Sequence, residues 1–154
     1  MRHVKTKYKD YYVDDRNLRQ GEYKSYYRNG KLEIKCYYKN GKLEGKYKWH
    51  DSYGHLKIEC GYKNDIFGGK YKWYYNSGNL GALYYFKNSK VDGKYKWYWE
   101  NGKLKGEGYC KNNEWEGEYK KYCEDGRLEE EKFYKDGVEI KDPLEKFILM
   151  GERK

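Results

Sequence analysis

From Gly93 the rings Tyr95, Trp97 and Trp99 alternate with Lys94, Lys96 and Tyr98. A period of two with aromatic residues predicts a half-buried β-strand. Asn101-Gly102 follows, then Lys103-Leu104 and a second alternating run to about Lys111. Asn-Gly between two such runs predicts a two-residue hairpin of type I′, whose central residues both need positive φ. On that register Glu100 faces Lys103, Trp99 faces Leu104, Trp97 faces Gly106 and Tyr95 faces Gly108.

The unit recurs. Gly21, Gly45, Gly69, Gly93 and Gly117 are 24 residues apart, and each is followed two places on by a tyrosine. A second glycine falls at Gly30, Gly54, Gly78, Gly102 and Gly126, with leucine two beyond at Leu32, Leu56, Leu80, Leu104 and Leu128. A fixed period of this size implies one supersecondary unit stacked on its neighbours. The fold expected is all-β: an elongated, single-layer antiparallel meander of about ten strands built from repeated β-hairpins. Opposed residues share a face. One face therefore gathers Tyr23, Tyr27, Leu32, Ile34, Cys36 and Tyr38, and in the third copy Tyr71, Trp73, Tyr75, Leu80, Ala82, Tyr84 and Phe86. The other carries Lys24, Lys48, Lys72, Lys96 and Lys120, with Tyr26, His50, Tyr74, Tyr98 and Tyr122. Short loops join the hairpins, and their apolar residues Leu43, Phe67, Val91 and Trp115 are expected to tuck against the sheet.

The ends depart from the repeat. Residues 1–20 form a flank with a degenerate repeat, residues 21–140 hold five copies, and residues 141–154 read as a helix and tail. Asp142-Pro143 is a helix-start signal. Leu144, Phe147 and Ile148 then make one apolar stripe, so a short C-terminal capping helix is expected to close the apolar face.

Composition changes this picture in two ways. Charged residues make up 38% of the 154, which alone would suggest disorder. The 22 Tyr, 5 Trp and 4 Phe supply the missing apolar area, so the buried surface is aromatic. The net charge of +9 is spread through every repeat. A dispersed charge reads first as a solvated surface, and it leaves acidic partners open. Met1–Asp10 lacks the apolar run of a secretory leader, and no stretch has the ~18 apolar residues of a membrane span. The four cysteines show no CxxC spacing, and Cys36 and Cys60 fall two strands apart, too far for a disulfide. Reduced thiols and a cytoplasmic location are the expectation.

The stretches Gly93–Leu104 and Tyr38–Gly45 resemble the bacterial variant of the MORN repeat, and the resemblance runs from Gly21 to about Ile140. It implies a β-meander used for protein association, in some members for lipid contact. Proteins of this branch are often described as antitoxins of toxin–antitoxin pairs, which would imply a toxin protein as partner. The motif brings no catalytic residues. The chain departs from it at His50-Asp51-Ser52-Tyr53, at Ser77-Gly78 and at Cys123.

No constellation for catalysis, metal or cofactor is visible. His50 and His55 lack a third ligand in phase, and the glycines sit at hairpin tips rather than before helices. The function expected is a non-catalytic module for protein–protein interaction, with an antitoxin-like partner protein. The candidate binding residues are Tyr71, Trp73, Tyr75, Tyr95, Trp97 and Trp99, where the aromatic face is richest. The same six residues could equally be the spine of the sheet. The aromatic face and two sheet edges also suit a homodimer. Other readings place anionic lipid or single-stranded nucleic acid on the Lys/Tyr face, with phosphates on Lys24, Lys72 and Lys96 and bases on Tyr26, Tyr74 and Tyr98. A choline or cell-wall-type ligand in an aromatic cage near Tyr84-Tyr85-Phe86 and Gly93 is a further one.

Overall fold

The structure is a computed structural model that describes residues 1–141 with Leu144, Phe147, Ile148 and Gly151. In chain order the strands are β1 (Arg2–Lys5), β2 (Lys9–Val13), β3 (Arg19–Tyr26), β4 (Leu32–Lys39), β5 (Lys42–Leu43), β6 (Gly45–His50), β7 (Leu56–Lys63) and β8 (Ile66–Tyr74). They continue as β9 (Leu80–Lys87), β10 (Lys90–Val91), β11 (Gly93–Tyr98), β12 (Leu104–Lys111), β13 (Glu114–Trp115), β14 (Gly117–Tyr122), β15 (Leu128–Lys135) and β16 (Val138–Glu139). All belong to one open, 16-stranded antiparallel sheet in which neighbours in sequence are neighbours in space. Strands β5, β10 and β13 are short leading segments of β6, β11 and β14, set off by a kink at Glu44-Gly45, Asp92-Gly93 and Glu116-Gly117. The meander is thus longer than the ten strands expected.

The hairpin tips are not the type I′ turns expected. At Asn101-Gly102 the amide of Gly102 donates to the Trp99 carbonyl at 2.9 Å, and that of Trp99 to the Lys103 carbonyl at 2.9 Å. Only the glycine has positive φ, at 85°. This is a three-residue loop, a type I turn closed by a left-handed glycine. Asn101 supports it by accepting the Lys103 amide at 3.0 Å. The type I′ turns are instead the links between hairpins. Both central residues are left-handed in Asn64-Asp65, Asn88-Ser89 and Asn112-Asn113. These links are stacked: the Ser89 amide donates to the Phe67 carbonyl at 3.0 Å, and the Asn113 amide to the Val91 carbonyl at 2.9 Å.

The longer loop carries a bulge, and the bulge moves a whole row. The pairs Tyr95↔Gly108 and Trp97↔Gly106 hold as predicted, but Leu104 then lies opposite Tyr98 rather than Trp99. The same shift places Leu32 opposite Tyr26, Leu56 opposite His50, Leu80 opposite Tyr74 and Leu128 opposite Tyr122. The five leucines therefore sit on the lysine face, not the aromatic one, because one extra residue reverses the side-chain alternation. Leu43, Phe67, Val91 and Trp115 do lie against the sheet, but as strand residues paired with Tyr38, Tyr62, Phe86 and Cys110.

A helix closing the apolar face is not seen. Its expected start, Asp142-Pro143, lies outside the described residues. Leu144, Phe147 and Ile148 are 73%, 78% and 60% exposed, so these three side chains do not cover the sheet.

Candidate functional site

The aromatic face is held together by ring-on-ring contact across the strands. A continuous run joins Tyr47, Tyr62, Phe67, Tyr71, Tyr84, Tyr95, Trp97, Tyr119 and Tyr134, with centroids 5.1 to 6.2 Å apart. Offset and edge-on pairs at such distances add to the gain from area burial. With one layer of sheet there is no second layer to bury against, so the rings cover one another.

The six candidate residues fall into two groups, with Trp99 apart from both. Tyr71 and Tyr95 are linked through Tyr84, and Tyr95 stacks on Trp97 at 5.1 Å with 9° between planes. Trp73 and Tyr75 form a separate edge-on pair at 4.7 Å, with the Lys57 ammonium 5.2 Å from the Trp73 ring. Trp99 stands in the hairpin loop, its indole N–H donating to the Tyr122 carbonyl at 3.3 Å and Lys105 lying 4.1 Å over its ring. Tyr95 alone of the six is buried, at 2% exposure, and the others are half-buried. Trp97 lies flat on Gly106 and Tyr95 on Gly108, where any Cβ would overlap the ring.

Beside Tyr95 the face opens into a groove of roughly 410 Å³, lined by Tyr84, Val91, Tyr95, Trp97, Cys110, Asn113 and Trp115. The Tyr95 hydroxyl is buried and has no hydrogen-bond partner among the described residues. Burial pushes its ionisation upward, so it is a neutral donor at any ordinary pH. An unpaired buried hydroxyl costs free energy, which an acceptor entering the groove would recover. Trp115, 36% exposed and edge-on to Tyr95 at 4.7 Å, forms one wall. Val91, Asn113 and Trp115 are absent from the six predicted residues. Reading Asn88-Ser89 and Asn112-Asn113 as type I′ turns would have placed Val91 and Trp115 on this face.

The opposite face is a charged ladder. Across the strands in register run Lys24, Lys35, Lys48, Glu59, Lys72, Leu83, Lys96, Glu107, Lys120 and Glu131. Glu22 bridges Lys24 at 2.5 Å and Lys35 at 2.6 Å, and those two hydrogen bonds hold its carboxyl down at about 2. Glu59 bridges Lys48 and Lys72, each at 3.2 Å, and Glu107 meets Lys96 at 3.0 Å. Lys24, Lys72 and Lys96, the lysines expected to hold phosphates, are thus all ion-paired within the sheet. Tyr85 points away from Tyr84 and Phe86, onto the lysine face opposite Lys70, so the three do not make one cage.

His55 pairs with Asp51 at 3.1 Å, while His50 Nδ1 is buried without a partner among the described residues. Among those residues no group of three His, Cys, Asp or Glu side chains is placed to hold a metal, and no helix is long and apolar enough to cross a membrane. All four cysteines are free thiols.

The sequence matches the family described as MORN repeat variant at residues 19–42, 67–88, 91–112 and 115–136, together more than half of the chain. The unmatched stretch contains His50-Asp51-Ser52-Tyr53, yet β6 and β7 pair there as their counterparts do, with Tyr47 opposite Cys60 and Trp49 opposite Ile58. No curated protein matches the chain.

Proposed function

The chain belongs to the MORN repeat variant family, a non-enzymatic repeat module whose members generally bind, and on that premise we propose that it is a protein–protein interaction module. The partner docks on the aromatic face between Tyr71 and Trp99. It inserts an apolar side chain into the groove between Tyr84 and Trp115 and offers a carbonyl to the Tyr95 hydroxyl. That buried, unpartnered donor beside an open aromatic groove carries the reading. Half-buried Trp and Tyr are the side chains that most often anchor protein partners. The form we favour is the bacterial, antitoxin-type member: a cytoplasmic protein with reduced thiols that occupies a toxin protein.

The test is capture from the native host with the wild-type chain and with Trp115→Ala, after checking that both melt alike. One protein retained in stoichiometric amount by the wild type and lost from the variant is expected. Equal capture by both, recovery of a metabolite or oligonucleotide alone, or a homodimer that buries this face would overturn the reading.

A further inference from the structure

A second row of the lysine face differs from the ion-paired ladder. Two residues along each strand from it, Lys46 lies opposite Gly61, Lys70 opposite Tyr85 and Lys94 opposite Tyr109. These three lysines occupy the same position of successive repeats, so they stand two strands, or about 10 Å, apart. All three are exposed, and none makes an ion pair among the described residues. In the first and last copies the same position is acidic, Glu22 and Glu118. The row is therefore a finite track of three ammonium groups outside any ion pair among the described residues, bounded beyond Lys94 by Glu116 and Glu118, which line a groove with it. It runs past Leu83, the one place from Glu59 onward where the ladder holds an apolar residue. Beside Leu83 and Tyr85 lies a shallow groove of roughly 340 Å³, rimmed by Lys94 and Lys96, with Asp92 at one end.

We propose that this track binds an extended acidic peptide segment, with carboxylates on Lys46, Lys70 and Lys94 and apolar residues on Leu83 and Tyr85. Its surface is opposite the aromatic groove, so the inference stands apart from the partner proposed there. The spacing suits a polyproline II strand, whose three residues per turn repeat every ~9.3 Å and would present a carboxylate to each lysine in turn. Single-stranded nucleic acid suits it less. Tyr85 has the Lys70 ammonium 5.7 Å from its ring centre, Gly61 puts no ring between Lys46 and Lys70, and the more exposed rings of the row, Tyr37 and Tyr109, stand at its two ends beside Glu22 and Glu118. A longer polyanion would also run onto Glu22 or Glu118.

The probe is a labelled peptide of repeated Glu-Pro-Pro, its binding followed by fluorescence anisotropy at about 0.1 M salt, where exposed charges more than about 10 Å apart are largely screened. Gln-Pro-Pro, oligothymidylate and anionic vesicles serve as competitors. The triple variant Lys46→Gln, Lys70→Gln, Lys94→Gln should bind the peptide about tenfold more weakly, as loss of three exposed charge pairs implies. Lys7→Gln, Lys103→Gln, Lys141→Gln removes the same charge at exposed positions away from the track and should change binding less than about twofold. Melting of both variants is expected to match the wild type. Equal losses in the two variants would reduce the effect to net charge and overturn the track. Tighter binding of oligothymidylate or vesicles than of the acidic peptide would overturn the choice of ligand. Trp115→Ala should leave this binding intact, which separates it from failure of the aromatic groove.

Discussion

The Tyr75 hydroxyl donates to the backbone carbonyl of Tyr98, 2.8 Å away and 23 residues on. Tyr27 makes the same bond to the His50 carbonyl at 2.7 Å, and the Trp99 indole to that of Tyr122 at 3.3 Å. The donor closes its own hairpin loop, and the acceptor ends the first strand of the next hairpin. The first, third and fourth copies are thereby fastened to their successors by a side chain as well as by the strand ladder. The link lapses in the second copy, where Asp51 instead accepts the amides of Tyr53 and His55 within its own loop at 2.9 and 3.0 Å.

Tyr75→Phe should therefore lower stability by about 1 kcal/mol, the net worth of one hydrogen bond. Urea unfolding monitored by tryptophan fluorescence measures it. An unchanged midpoint would mean that the loops are coupled by their backbones alone.

Gly106→Ala should cost about 1–3 kcal/mol, because the new methyl overlaps the Trp97 ring. Once Trp97→Ala has removed the ring, the same change should cost far less. A double-mutant cycle exposes the coupling. Additive effects would show that the ring does not rest on that glycine.

Trp73→Ala and Trp97→Ala separate spine from anchor. Trp97 is stacked on Tyr95 and near Tyr119, so its loss should lower stability by ~3 kcal/mol, the low end for a truncated tryptophan because it is half-buried. Among the rings of the described residues Trp73 touches Tyr75 alone, and its loss should weaken a partner by roughly 2 kcal/mol with a smaller stability change. Calorimetric melting beside titration of the captured partner reads both. Loss of stability without loss of affinity at Trp73 would assign it to the spine.

Acid should loosen the charged face through Glu22. Its carboxyl is held at about 2 by the Lys24 and Lys35 hydrogen bonds, against an ordinary 4.5. A depressed folded pKa means the contribution is complete above pH 4.5 and is lost as pH falls from there towards about 2. Because the group is largely solvent-screened, the effect is modest. Melting temperature measured across that window should fall less steeply in Glu22→Gln than in the wild type. Parallel curves would mean the bridge contributes nothing.

Thiol reactivity should divide the cysteines. Cys36 and Cys60 are buried, and burial pushes each thiol up to about 11. Cys110 is buried and shifted the same way, whereas Cys123 is partly exposed. Alkylation at mildly alkaline pH should modify Cys123 first and the others only on unfolding. Equal rates at all four in the native protein would place the buried three in contact with solvent.

How much of this was legible follows from what is local. The 24-residue period, the hairpin meander and the pairs Tyr95↔Gly108 and Trp97↔Gly106 could be read directly, because side-chain alternation belongs to a single strand. The candidate residues were legible as a face but not as a groove: Trp115 reaches Tyr95 only because the I′ turn at Asn112-Asn113 folds it back over Cys110.

The repeat by itself determined that this chain is a sheet, in which order its strands lie, and that one side is aromatic. Tertiary structure decided the rest, because it depends on neighbours that the sequence of one strand does not contain. An Asn-Gly pair can close a two- or a three-residue loop. Here a bulge opposite Trp97 and Tyr98 moved every leucine to the lysine face. Identical lysines became unlike in the same way: Lys72 and Lys96 meet Glu59 and Glu107 across a strand, while Lys70 and Lys94 have only Tyr85 and Tyr109 opposite them. A lysine's charge is written in the chain, but whether it is neutralised depends on which strand is laid beside it.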